Sequence, residues 1–260
     1  MKRNDPIGIT DSGVGGLTVV REVMRILPGE DILYFGDSAN CPYGNKTKEQ
    51  LLGFAGSMLS HLSDCGIKLA ALACNTTSSM IEDLRPSFPL PLLGVIDSAA
   101  KLVAQRGLSS VGLIATEFTS NSKSYDKLIA KYSPETVVVS KGSPMLAALI
   151  DSGNFDWVSI DDEIVREINA ILEKGKIEDI ILACTHYPIV LDRFEKLFPN
   201  VNFINPSHEQ AEAVRDYLAD NDLLSDKKQG SLKIYTTGDP AVYDKMCKKL
   251  GIIADEIVAL

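Results

Sequence analysis

Short apolar runs recur along this chain, each stopped by small polar residues or glycine. They fall at 7–10, 32–35, 69–73, 92–95, 111–114, 136–139, 180–183, 201–204 and 232–236. An apolar run of this length with polar ends predicts a buried strand. Between the runs lie longer segments at 17–26, 46–65, 77–84, 122–132, 160–173, 189–197, 209–218 and 242–250. In these the apolar residues return every third or fourth position, as on one face of a helix. Strand and helix alternate, which predicts an α/β fold of doubly wound parallel sheets covered on both faces.

Two strand runs look like copies of each other. One reads Leu69-Ala70-Ala71-Leu72-Ala73-Cys74-Asn75-Thr76 and the other Ile180-Ile181-Leu182-Ala183-Cys184-Thr185-His186. A second pair, Ile7-Gly8-Ile9-Thr10-Asp11-Ser12 and Val111-Gly112-Leu113-Ile114-Ala115-Thr116, is separated by nearly the same length of chain. The chain therefore reads as two related halves. In each, a first strand ends in a polar residue and a third ends in Ala-Cys. The common pattern of all βαβ units is the plainer account of the same likeness. The segment after Pro206 adds a strand and two helices and is expected to fold back onto the first half. The expected domains are 1–97 plus 207–260, and 98–206.

Composition narrows the classes. The 260 residues are 45% hydrophobic and 23% charged, an ordinary globular mixture. No apolar run approaches the roughly 20 residues of a membrane span, so no membrane association is expected. The net charge is −9, and basic residues cluster only at Lys227-Lys228 and in 245–249. That excludes nucleic acid as a natural partner. The opening Met1-Lys2-Arg3-Asn4-Asp5-Pro6 lacks the apolar core of a signal peptide, and five cysteines (Cys41, Cys65, Cys74, Cys184, Cys247) form no disulfide framework. A cytoplasmic protein with reduced thiols is expected.

Cys74 and Cys184 stand at the carboxyl ends of core strands, where α/β sheets place their ligands. Each precedes polar residues that should open a helix, whose dipole would lower the thiol pKa toward neutrality. Two such thiols on opposite sides of one carbon suit removal of a proton from one face and delivery to the other. Read singly, a cysteine is most often just a small buried hydrophobe. Asp11-Ser12-Gly13-Val14-Gly15-Gly16 ends the first strand; its glycines permit close backbone approach to a ligand, and its N–H groups can bind an anion. Asp11 can orient a thiol or an ammonium group, or simply cap a helix. Tyr43, in the loop Asn40-Cys41-Pro42-Tyr43-Gly44, can hold a carboxylate with its neighbouring amides, or form a plain turn. His186 beside Cys184 reads as a proton partner; with Cys74 the trio lacks the spacing and the fourth ligand of a zinc site. His61, His208, Cys65 and Cys247 read as structural or exposed.

Six blocks in order carry a family resemblance. They are Asp11-Ser12-Gly13-Val14-Gly15-Gly16-Leu17, Tyr34-Phe35-Gly36-Asp37, Pro42-Tyr43-Gly44, Ala73-Cys74-Asn75-Thr76, Ala183-Cys184-Thr185-His186-Tyr187-Pro188 and Tyr235-Thr236-Thr237-Gly238-Asp239-Pro240. Together they resemble the glutamate racemases of the aspartate/glutamate racemase superfamily. The resemblance implies two α/β domains related by pseudo-twofold symmetry, an active site between them, a homodimer and no cofactor. It implies glutamate as the small-molecule substrate, Cys74 and Cys184 as the acid/base pair, and supply of D-glutamate for peptidoglycan. Carried over by position, Asp11 supports Cys74 and His186 supports Cys184. Ser12, Pro42, Tyr43, Gly44, Asn75, Thr76, Thr116, Thr119 and Thr185 hold the substrate. Cys74 is implied to deprotonate D-glutamate and Cys184 L-glutamate.

The chain departs from the family pattern at several points. Asn40 replaces a common arginine, Gly142-Ser143-Pro144 a usual Ala-Cys-Pro, and Asp97-Ser98 a common Glu-Pro. Asp151 replaces a glutamate, keeping the charge on a stem one methylene shorter. These changes leave open another acidic amino acid, such as aspartate, as substrate. Two other classes also remain: a thiol hydrolase built on Cys184 and His186, and a non-catalytic binding protein of the same fold.

Overall fold

The computed structural model describes residues 1–151, 153 and 155–260, and of Asn45 the backbone only. Among these residues ten strands form two sheets, and every pairing is parallel. The strands are β1 (Ile7–Asp11), β2 (Ile32–Gly36), β3 (Leu69–Leu72), β4 (Leu92–Gly94), β5 (Ser110–Thr116), β6 (Val137–Ser143), β7 (Asp179–Ala183), β8 (Asn202–Ile204), β9 (Leu232–Thr236) and β10 (Glu256–Ala259). One sheet has the order β10-β9-β2-β1-β3-β4 and the other β6-β5-β7-β8. Within the first, β2-β1-β3-β4 repeats the order of the second. That common order is the physical content of the pseudo-twofold relation. β9 and β10 return from the end of the chain to extend the first sheet beside β2.

The apolar runs form strands because helices cover both faces. Ile7, Ile9, Leu69, Ala71, Ile180 and Leu182 are fully buried, as central parallel strands require. One core cluster joins the halves, bringing Val19, Val20 and Val23 of the helix Leu17–Ile26 together with Ile164 and Ile168 of the helix Trp157–Leu172. Two further clusters back one sheet each.

The structure corrects several expected elements. The run at 92–95 stops at Gly94, which is both the last strand residue and the cap of a helix, Val95–Gln105, that the pattern did not suggest. The helix expected at 77–84 is two short ones, Asn75–Ser78 and Ile81–Leu84. The helix expected at 122–132 is Glu117–Ser122 followed by Ser124–Tyr132, broken at Lys123, whose φ is 56°. A helix at Leu146–Asp151 and the strand β10 are additions.

Candidate active site

The matching strands β3 and β7 end side by side with the ends of β1 and β5. Thr10 pairs with Leu72, and Ala115 with Ala183. The chain then turns at Cys74 into the helix Asn75–Ser78, and at Cys184 toward a tight turn over Tyr187–Val190. Both thiols are buried, and both line one small cavity. Ser12, Cys41, Pro42, Tyr43, Asn75 and Thr76 line it from the first half; Thr116, Ala147, Ala183, Thr185 and His186 line it from the second. A wider crevice beside β4 is lined by no cysteine or histidine among the described residues.

The halves meet so closely that side chains would not fit at two glycines. A Cβ on Gly15 would lie 2.5 Å from Thr185 Oγ1 and 2.8 Å from the Thr185 carbonyl carbon. One on Gly13 would lie 2.7 Å from Asp151 Oδ1. The glycine run expected to approach a ligand therefore approaches the thiol-bearing turn of the other half.

Charge is distributed unequally around the two thiols. The His186 ring links Cys184 to Asp151: its Nδ1 lies 3.7 Å from Cys184 Sγ, and its Nε2 lies 2.7 Å from Asp151 Oδ1. Burial alone works against the imidazolium. The hydrogen bond and negative charge of Asp151, with a contribution from Cys184, outweigh it and hold the His186 pKa well above its ordinary value. Burial likewise disfavours the Asp151 carboxylate, but the His186 charge, the Cys41 thiol and the Val14 N–H keep its pKa below the usual range. The two directions agree on an ion pair. Despite its shorter stem, Asp151 reaches the histidine.

Around Cys74 the balance is reversed. The Cys74 thiol donates to Ser12 Oγ at 3.7 Å. Burial, and then the negative charge of Asp11, push its pKa up to about 11. This overturns the expected depression toward neutrality. The helix after Cys74 is a single turn of four residues, too short for its dipole to offset desolvation. Asp11 is itself raised to about 6, mainly by burial; the His186 charge, the N–H groups of Gly13 and Gly16 and the Thr185 hydroxyl pull the other way. Thr185 Oγ1 donates to Asp11 Oδ2 at 3.0 Å, across the two halves.

The other expected residues gather in two groups. Ser12, Pro42, Tyr43, Asn75, Thr76, Thr116 and Thr185 line the cavity with the thiols. Gly44 and Thr119 stand behind it: a Cβ on Gly44 would meet Thr116 Cβ at 3.1 Å, and Thr119 Oγ1 lies 3.0 Å from Thr116 Oγ1. Tyr43 presents its ring rather than a free hydroxyl, because its O–H donates to Asp37 Oδ2 at 2.6 Å. Asn40 also bonds Asp37, through Nδ2 to both carboxylate oxygens at 3.0 Å. Ser143, in place of a cysteine, donates to Glu163 at 2.6 Å and accepts from the Leu146 N–H.

Sequence reasoning gave no role to three residues. Cys41 lines the cavity and bonds Asp151; its place directly before Pro42-Tyr43-Gly44 was the available signal. Tyr125 donates to Asn75 Oδ1 at 2.7 Å and had no signal beyond a helical apolar position. Asp37 organises Tyr43, Asn40 and Thr237.

Two sheets of common strand order, with paired buried thiols facing a single cavity, define a pseudo-symmetric two-domain α/β protein with a two-thiol site. The family model for Asp/Glu/hydantoin racemases matches residues 13–214, and the chain belongs to that family. Among its relatives, glutamate racemase 1 of Caldanaerobacter subterraneus is 34% identical, covering 95% of this chain and 92% of the relative. Glutamate racemase of Bacillus cereus is 35% identical over 96% and 94%. The crystal structure of glutamate racemase from Francisella tularensis with D-glutamate superposes with a TM-score of 0.90 at 32% identity, covering 99% of this chain and 98% of that one.

Proposed function

We propose that this chain is a glutamate racemase that interconverts L- and D-glutamate without a cofactor, using Cys74 and Cys184 as its acid/base pair. The observation that carries the reading is the arrival of two thiols, from equivalent strand ends of two similar halves, at one cavity. One thiolate removes the α-proton while the opposite thiol delivers a proton to the other face. The α-hydrogen is a weak acid, so the carbanionic transition state needs electrostatic stabilisation in a water-poor site. Ser12, Asn75, Thr76, Thr116 and Thr185 supply hydroxyl and amide groups there, with Pro42 and the Tyr43 ring as walls and Gly44 and Thr119 behind.

Asp11 supports Cys74 from behind the cavity wall: it accepts from Thr185 Oγ1, and a proton on its carboxyl removes the charge that raises the Cys74 thiol. His186, held as imidazolium by Asp151, stabilises a thiolate at Cys184. By family analogy Cys184 takes the proton of L-glutamate and Cys74 that of D-glutamate. The same reading makes the protein a cytoplasmic homodimer that supplies D-glutamate for peptidoglycan, with domains of 1–97 plus 207–260 and of 98–206.

Incubation with L-glutamate in deuterated water tests the reading. The expected result is loss of the α-proton signal and formation of D-glutamate without added pyridoxal phosphate or metal, with slower turnover of aspartate. Faster turnover of aspartate would overturn the substrate, and absence of exchange the chemistry. One observation favours a second reading: Cys184, His186 and Asp151 stand in the order of a thiol hydrolase triad. That reading makes Cys74 dispensable, so an active Cys74→Ser variant would select it.

A further inference from the structure

The third thiol at the cavity exchanges no proton with the substrate in the scheme above; it bonds Asp151. Cys41 comes from the loop after β2, Asp151 from the end of the helix Leu146–Asp151, and His186 from the turn after β7. One ligand atom from each of these three side chains lies within 4.8 Å of the others. We propose that Cys41, Asp151 and His186 form a binding site for a thiophilic divalent cation, Zn²⁺, whose occupancy switches the enzyme off.

Thiolate, imidazole and carboxylate are the donor types that zinc selects, at bond lengths of about 2.0–2.3 Å. Tetrahedral coordination at those lengths places ligand atoms roughly 3.5 Å apart. The observed cluster, with its ligand atoms within 4.8 Å of one another and His186 Nε2 2.7 Å from Asp151 Oδ1, brackets that spacing. The three donors arrive on separate segments, so the geometry is set by the fold and not by a local sequence motif. Gly13 backs the cluster: a Cβ there would lie 2.7 Å from Asp151 Oδ1 and 3.4 Å from His186 Nε2. Cys41 is half-buried and lines the cavity, which provides the entry path. Three protein donors leave a fourth position for water.

Coordination replaces the Cys41 thiol proton and the His186 Nε2 proton, and both pass to solvent. The ion pair between His186 and Asp151 is then broken, and His186 no longer serves Cys184 as a charged partner. The binding half of the proposal is independent of any assigned reaction; the inhibition half rests on the racemase reading.

The test uses the reduced full chain after treatment with a chelator. Co²⁺ is added as a spectroscopic probe, and Zn²⁺ is titrated in competition. The expected result is one ion per chain, with a thiolate-to-cobalt charge-transfer band that Cys41→Ser abolishes and that Cys74→Ser and Cys184→Ser retain. Cys41→Ser should raise the Zn²⁺ Kd more than about 100-fold, beyond the ten- to hundredfold that changes around a metal's ligands cost. In the unmodified chain, Zn²⁺ should protect Cys41 from alkylation, read by peptide mass spectrometry, so the outcome does not depend on a variant folding. Racemisation should fall more than about tenfold at saturating Zn²⁺ and recover with chelator; Cys41→Ser, measured against its own metal-free rate, should resist. A band that persists in Cys41→Ser, a band lost in Cys184→Ser, or alkylation of Cys41 unaffected by Zn²⁺ would overturn the site. Zinc binding at Cys41 in a protein without α-proton exchange would leave the site standing and remove the racemase reading instead.

Discussion

Asp151→Asn separates the charge at His186 from its position. The amide is nearly isosteric with the carboxyl and still offers an oxygen to His186 Nε2, now 2.7 Å from Asp151 Oδ1. What disappears is the negative charge that overcomes the burial of the imidazolium. In the variant, burial dominates and His186 titrates lower, so near pH 7 it meets Cys184 as a neutral ring. A hydrogen bond to a charged group contributes about 1.5–3 kcal/mol and a neutral one about 0.5–1.5, a difference of about 1–1.5 kcal/mol. At about 1.36 kcal/mol per tenfold, the steps that use Cys184 slow roughly five- to thirteenfold. The enantiomers have equal free energies in water, so kcat/KM must fall equally in both directions. The asymmetry therefore cannot show in kcat/KM, and isotope effects read it. With α-deuterated L-glutamate the primary effect should rise, because abstraction by Cys184 limits the rate more fully. With α-deuterated D-glutamate it should fall, because protonation by Cys184 then limits the rate instead of abstraction by Cys74. Rates within twofold of the unmodified protein, or isotope effects that move alike in both directions, would refute this account of His186.

Two further outcomes follow from the same site. Cys74→Ser and Cys184→Ser should each fold normally by circular dichroism and lose at least a hundred- to ten-thousandfold in racemisation rate, since a hydroxyl is too weak an acid to exchange its proton near neutrality. Asp11 binds its proton more tightly folded than unfolded, so its contribution to stability is complete below about pH 3.8 and is lost as pH rises through about 6. The difference corresponds to about 3 kcal/mol; in denaturant melts from pH 3 to 7 the stability of the unmodified chain relative to Asp11→Asn should decline by about that amount, and a flat difference would refute the burial of Asp11 as its cause.

The parts of the structure legible in the sequence are those where burial changes abruptly. Leu69-Ala70-Ala71-Leu72 and Ile180-Ile181-Leu182 are apolar on both faces and stop at polar residues, so both strands and both thiol positions could be read directly. The helix Leu146–Asp151 lies in an apolar stretch with no period, and so Asp151 had no element to place it. The helix Val95–Gln105 begins on the strand's own last glycine, leaving no turn residues to announce it. β10 is a half-exposed edge strand with little apolar signal. Protonation was least legible. The Cys74 environment is set by burial and then by Asp11, whose placement beside β3 depends on strand order, and strand order is not written in local periodicity.

The two halves also complete each other's sites. At the end of β1, Asp11 accepts from Thr185, the residue after Cys184, at 3.0 Å. At the corresponding end of β5, Thr116 Oγ1 lies 3.1 Å from Thr76 Oγ1, two residues after Cys74. Each first strand thus steadies the thiol turn of the opposite half, and the distance between the thiols depends on how closely the halves approach. Gly15 sets that approach. Its missing side chain admits the backbone of Thr185, which cannot swing aside as a flexible side chain would. Gly15→Ala must therefore separate the β1 loop from the Thr185 turn by several tenths of an ångström or more. The overpacking costs about 1–3 kcal/mol, while misplacement near 1 Å can cost about a hundredfold in rate. Gly53→Ala is the control: it lies in the helix Lys48–Asp64, a Cβ there meets nothing within 4 Å, and it should stabilise the chain by about 0.5–1 kcal/mol. Thermal melts and racemisation rates on the two variants decide the matter. If Gly15→Ala keeps the rate of the unmodified chain while folded, the close contact at Thr185 does not set the spacing of the thiols.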